Sequence, residues 1–303
     1  MAGYSSAMET RLLQTFATLA RTGSFTAAAT ELRLAQSTVT VQIKALEKAL
    51  GTRLFDRVAR GALLTEDGRR LLDTAEEVLA AESRLFAAAA EDGPVTGTVV
   101  VGAGETLCSA HLPLIVAALR ALHPEVEVQL EPRGTSAALT GLRSGQLDIA
   151  LLLEERVDHA DIAAERIAAQ PLDLLCAPGH RLADRAEPAT WAELAKEDFF
   201  LHEQGCSYSD WLAGQLQAVP GAHPRMTRFG SIEAARSCVS AGLGLTVLPH
   251  ANASRALEEG RLTLVAGPPL PDVPIHLAHH RRRQPTRAAR AVVQAVVRHF
   301  EQA

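Results

Sequence analysis

From residue 8 to residue 50 the apolar positions recur three and four apart, the period of a helix with one buried face. Leu12, Leu13, Phe16, Leu19 and Ala20 make one stripe over 8–21, and Gly23 ends it. Ser24 then stands as an N-cap ahead of a short second helix, FTAAATEL. A third stripe runs from Gln36 to Leu50, and Gly51 follows as the residue that closes the helix. After it the period shortens to two. TRLFDRVARGALLTEDG alternates like a hairpin with Gly61 at its tip. Helix, turn, helix and basic hairpin in one short run predict a winged helix-turn-helix over 8–65.

The helical period returns at 66–92. Leu71, Leu72, Val78, Leu79, Leu85 and Phe86 fall near heptad spacing, which asks for a partner helix; packing on its own domain is the alternative. DGPVTG then reads as a linker. Beyond residue 96 strand-like runs alternate with helix-like ones: TVVVGAG, a helix from about Thr106 to Leu122, VEVQLEP, TSAALTGLRSG, LDIALLL. LDLLCAP, FFLHE, SIEAARSCVSAG, LGLTVLP, PIHLAHH and a last helix near 285–301 continue it. Such alternation predicts an α/β sheet with helices on both faces, as one large domain or two small lobes. The fold class is therefore α+β multidomain: winged helix-turn-helix, linker helix and an α/β domain over 96–303.

Composition changes this picture little. With 303 residues, 47% hydrophobic and 21% charged, the chain is long enough for two domains with real cores. Cys108, Cys176, Cys206 and Cys238 form no CxxC pair, which argues against a zinc ribbon or disulfide framework and suits a reducing cytoplasm. No apolar run is of membrane-spanning length, and the residues ahead of Met8 lack the features of a signal peptide; Met8 is a candidate start. No metal or other cofactor is expected.

Charge is unevenly shared. Residues 8–66 hold eight Lys or Arg against five Asp or Glu, and the remainder 22 against 30. A basic head on an acidic body places a polyanion at the head. On a helical wheel Val39, Ile43, Leu46 and Leu50 share one face of the third helix, and Ser37, Val41, Lys44 and Lys48 the opposite one, with Gln36 and Thr40 along the edge. A recognition helix enters the major groove amino end first. Gln36, Ser37, Thr40 and Lys44 are therefore the candidate DNA contacts, extended by Arg53, Arg57 and Arg60 in the wing.

The stretch FTAAATELRLAQSTVTVQIKALEKALGTRLFDRVARGALLTEDGRRLL resembles the DNA-binding head of LysR-type transcriptional regulators. The markers are the Ala-Ala pair of the second helix, Gln36, QIKALEKALGTRLFDR and LTEDG. The likeness runs more loosely through the whole chain, whose α/β half resembles a periplasmic-binding-protein-like effector domain. That implies two lobes, about 96–167 with 270–303 and about 168–269. It also implies a cytoplasmic regulator, not an enzyme, that dimerises through the linker helix and often forms tetramers. Its partners would be double-stranded operator DNA and a small-molecule effector, with RNA polymerase a further candidate and no membrane. Two residues depart from the family pattern. Ala35 stands where many relatives have a capping Ser, and Val41 where many have a DNA-contacting Arg; Val41 is expected to meet a thymine methyl instead.

Ligands of α/β sheets bind at the carboxyl ends of strands, near helix amino ends. Those ends supply Glu105 and Thr106; Arg133, Thr135 and Ser136; His202, Glu203, Cys206 and Ser207; Gly230 and Ser231; and Thr246. The resemblance places Thr106, Thr135 and the loop 202–207 on the effector pocket. Hydroxyls, helix ends and Arg133 favour an anion. Rival chemistries are thinner. GAGETL lacks the third glycine of a dinucleotide fingerprint, and GCSYS has Ser209 where a nucleophile elbow needs glycine. His279 and His280 adjoin on a strand and face opposite ways. Cys206, in a polar loop near a helix amino end, leaves a thiol-based redox sensor as one alternative, with Cys108 as the candidate resolving thiol. A solute-binding protein or enzyme built on the α/β half is the other.

Overall fold

A computed structural model describes residues 9–58, 61–89, 93–183 and 185–302. The chain divides into two compact units, one reaching to Gly93 and including Ser144–Gln146, the other made of Pro94–Arg143 and the residues from Leu147 on. The first contains α1 (Thr10–Thr22), α2 (Phe25–Leu32), α3 (Gln36–Leu50), β1 (Phe55–Val58), β2 (Gly61–Leu64) and α4 (Glu66–Ala89). Phe16, Leu19, Ala28, Val39, Leu46 and Leu54 are fully buried where α1, α2, α3 and the wing meet. Ala28 and Ala29 of α2 are both buried there, small side chains that occupy little room between the helices. Leu50 departs from the expected buried stripe: it sits in the last turn, outside that core, and is 39% exposed.

Local chemistry sets the boundaries. The Ser24 hydroxyl accepts the Ala27 N–H, and Gly23 and Gly51 close α1 and α3 at φ +64° and +70°. Arg33 closes α2 with a left-handed φ of +55°, a conformation that favours glycine. Ala35 offers α3 no side-chain cap. We expect Ala35→Ser to stabilise the protein by about 1 kcal/mol in urea unfolding, the typical contribution of such a cap. Gly61 is not at a hairpin tip. It opens β2 opposite Val58, and a β-carbon on it would lie 2.2 Å from the Gly23 carbonyl oxygen. The wing is thus held back against the α1–α2 turn, which Ala62 N–H also joins through Gly23 O at 2.9 Å. Within this unit α4 lays Leu71, Leu72, Ala75 and Leu79 on the core, while Leu85 and Phe86 each remain 69% exposed. Packing on its own domain therefore holds for the first part of α4, and the apolar stripe continues uncovered by this unit toward its far end.

The second unit is built on two sheet systems. The first lobe has the sheet order β4-β3-β5-β12-β6. Its strands are β3 (Gly97–Ala103), β4 (Val126–Pro132), β5 (Ile149–Leu153), β6 (Ile162–Gln170) and β12 (Val273–His280). β3 runs parallel to β4 and β5, and β12 antiparallel to β5 and β6. α5 (Glu105–Ala110), α6 (Leu112–Leu122), α7 (Thr135–Ser144) and α12 (Arg287–Gln302) accompany it. The second lobe has β7 (Leu172–Cys176) between β10 (Thr246–Pro249) and β11 (Thr263–Leu264), and a parallel pair, β8 (Asp198–His202) with β9 (Arg225–Phe229). α8 (Trp191–Leu194), α9 (Ser207–Gln217), α10 (Ile232–Ser240) and α11 (His250–Glu258) complete it. Apolar clusters cover both faces of the first sheet, around Val99, Ile115 and Val292 on one and Leu139, Leu142 and Leu147 on the other.

One expected helix is two. The run from Thr106 to Leu122 breaks at His111, because Pro113 has no N–H to give the carbonyl one turn back. No helix of the described residues is long and apolar enough to cross a membrane.

Candidate nucleic-acid interface and effector cavity

The first candidate site is the outer face of α3. Val39, Ile43 and Leu46 anchor the helix, so its rotation is set by apolar burial. That rotation turns Gln36, Ser37, Lys44 and Lys48 to solvent, with Val41 65% exposed among them. Thr40 is half-buried and its hydroxyl donates to Gln36 O at 3.1 Å. An exposed valine in the middle of a polar face contributes nothing to the core.

The wing is tied to α3 by Glu47, whose carboxylate accepts the Leu54 N–H at 2.8 Å and the Phe55 N–H at 3.3 Å. Arg53 is exposed beside it, 3.8 Å from Asp56. Arg57 lies in β1, paired with Ala62; its side chain, and Arg60 as a whole, lie outside the described residues.

The second candidate site is a cavity of about 310 Å³ in the α/β unit, at the carboxyl ends of β3, β5 and β8. Thr106, Arg133, Thr135, Ser136, His202, Glu203, Cys206 and Ser207 line it, with Leu153 and Ala137 as apolar members. Parallel strands all release their chains at this end, and α7 and α9 begin there, so the amino ends of two helices adjoin the same space. Both Thr135 and Ser207 already use their hydroxyl protons: Thr135 donates to Glu154 at 2.5 Å and Ser207 to Leu153 O at 2.5 Å. Arg133 is held by Glu131 through Nε at 2.8 Å and a terminal nitrogen at 2.7 Å.

Four expected residues do not line the cavity. Glu105 caps the start of α10 instead, accepting the Ile232 N–H at 3.0 Å, and lies 3.8 Å from His202 Nε2. Ser231, the N-cap of α10, makes no side-chain cap. Gly230 stands in the same connection, and Thr246 is fully buried in β10. Strand-end position alone located these residues, and it cannot tell a side chain turned to the cavity from one turned into the lobe.

Three useful residues were missed. Tyr208 is buried, and its hydroxyl meets Thr106 Oγ1 at 3.1 Å; burial raises its pKa well above the ordinary tyrosine range. Asn252 holds the other side of Thr106, donating to its carbonyl oxygen at 3.2 Å. Glu154 follows the last residue of β5, a place the strand-end rule would have found. Its carboxyl is raised by burial, against the pull of the Thr135 hydrogen bond.

Cys206 is the N-cap of α9, but burial raises its pKa, and Cys108 is pushed up to about 11, again mainly by burial. Burial thus acts against the low-pKa thiolate that a helix amino end would favour. We expect both thiols to react at least about tenfold more slowly with a disulfide reagent at pH 7.5 than after unfolding. Mild peroxide should leave Cys206 labelling unchanged; loss of labelling would favour the redox alternative.

Comparison with known proteins agrees with this geometry. Residues 10–69 match the family model "Bacterial regulatory helix-turn-helix protein, lysR family", and residues 92–301 match "LysR substrate binding domain". The chain belongs to the LysR family. Members are transcriptional regulators, not enzymes, so the α/β unit is an effector-binding domain attached to a DNA-binding one. Among curated LysR-type relatives, YwqM of Bacillus subtilis, described as an uncharacterised HTH-type transcriptional regulator, is 34% identical over 84% of this chain and 87% of its own. GltR of the same organism is 31% identical over 84% of each. Among solved structures, the LysR family regulator CbnR matches with a TM-score of 0.69 and 25% identity, over 96% of this chain and 99% of its own.

Proposed function

We propose that this LysR-family chain works in the cytoplasm as a sequence-specific regulator. It lays the outer face of α3 in the major groove of operator DNA, and its grip changes when a small anion enters the 310 Å³ cavity. The observation that carries the reading is the division of α3: three buried apolar residues fix its rotation, and the opposite face is polar, basic and exposed without a structural reason. Gln36 and Ser37 are placed for base edges, Lys44 and Arg53 for phosphates, and Val41 for a thymine methyl. CbnR, which shares the fold, has been crystallised with its target DNA.

The exposed Leu85 and Phe86 of α4 support self-association through that helix. The first-turn N–H groups of α7 and α9 favour an anion in the cavity. A gel shift on DNA upstream of the protein's own gene tests the main claim. We expect a retarded band at low salt that fades as salt rises, because phosphate contacts release counterions. No retardation at low salt overturns it and favours a stand-alone solute-binding role.

A further inference from the structure

The effector reading can be taken one step further, and the step rests on it. Thr135 is at once the first residue of α7, where an anion is favoured, and the hydrogen-bond donor to Glu154, 2.5 Å away. The place prepared for negative charge thus adjoins a carboxylate. Glu154 is half-buried, and none of the ion pairs among the described residues involves it. Two guanidinium groups nearby are engaged by other carboxylates: Arg133, which itself lines the cavity, lies on Glu131, and Arg228 lies on Asp210 at 2.7 Å. A simple carboxylate bound at α7 would meet Glu154 as a like charge, which is costly in a partly desolvated site. An ammonium group one carbon from the ligand's own carboxylate removes that conflict and supplies the missing counter-ion.

We propose that the effector is a small zwitterion of the α-amino-acid class, its carboxylate at the amino ends of α7 and α9 and its ammonium group against Glu154. The side chain of the ligand lies along Leu153 and Ala137, and the volume of about 310 Å³ suits a molecule of that size. Glu154 is then the specificity-determining residue. It separates amino acids from the plain carboxylates that helix ends alone would accept.

The test uses the full chain. The twenty protein amino acids are screened by thermal shift, and each binder is compared by calorimetry with its deaminated carboxylate and its decarboxylated amine. At least one amino acid should bind on the order of tenfold tighter than either counterpart, the size of one charge-assisted hydrogen bond. Glu154→Gln, which keeps the Thr135 contact, should erase most of that advantage while the carboxylate binds as well or better. Carboxylates that bind wild type as tightly as the amino acids overturn the zwitterion and leave the anion reading standing. An advantage that survives Glu154→Gln overturns the role of Glu154. If neither amino acids nor carboxylates bind, both readings fall. The wild-type comparison decides the ligand class even if the variant folds poorly.

Discussion

Lys44→Glu is expected to weaken operator binding by on the order of 100-fold at low salt, with the fold intact. Lys44 is exposed on the outer face of α3 and pairs with no carboxylate among the described residues, so its charge has no structural task there. Removing one phosphate-contacting lysine lowers the slope of log affinity against log salt by about 0.9 for each subunit on the DNA, and reversal adds repulsion from the backbone. Fluorescence anisotropy across a salt series reads both quantities. Surface substitutions of this kind change stability by about 0.5 kcal/mol or less, so the melting temperature should hardly move. A melting temperature that holds together with unchanged affinity would remove α3 from the interface and with it the proposed docking.

The second large effect is one of stability. Phe16 is fully buried in the first unit and meets Phe55 of the wing edge-on, with ring centroids 5.6 Å apart. It is the side chain that joins α1 to the hairpin. Phe16→Ala removes a large apolar surface and leaves a cavity that three short helices and a two-stranded wing cannot close. The expected cost is about 3–5 kcal/mol in chemical unfolding of this unit. Stabilities of small domains are about 5–15 kcal/mol, so DNA binding should be lost on modest warming while the α/β unit still melts at its own temperature. A cost below about 1 kcal/mol would mean that the wing does not depend on this contact.

Legibility in the sequence follows the range of the interactions. The limits of α2 and α3 could be read residue for residue, because Ser24, Gly23 and Gly51 act on the chain next to them. The DNA face could be read too, since it is the complement of one apolar stripe. The α/β unit was legible only as alternation. β6, IAAERIAAQ, escaped because it alternates weakly and carries charge, yet it pairs with β12 from a hundred residues away in the chain. α11 was missed for a similar reason, being mostly alanine and polar residues. In the cavity, residues on both sides of the mouth were nameable from strand ends. The direction in which each side chain points was not: Glu105 turned to α10, and Thr246 turned inward.

Sequence alone determined what local chemistry determines: two modules, the period and caps of the helices, the polar face of α3, and the set of groups gathered at strand ends. Tertiary structure alone decided which of those groups share a cavity, that Glu105 caps α10, that Arg133 is engaged by Glu131, and that Glu154 sits beside Thr135. The reason is physical. A cap or an amphipathic stripe depends on neighbours within a few residues, whereas the charge balance of a cavity depends on side chains that meet only after distant strands have paired.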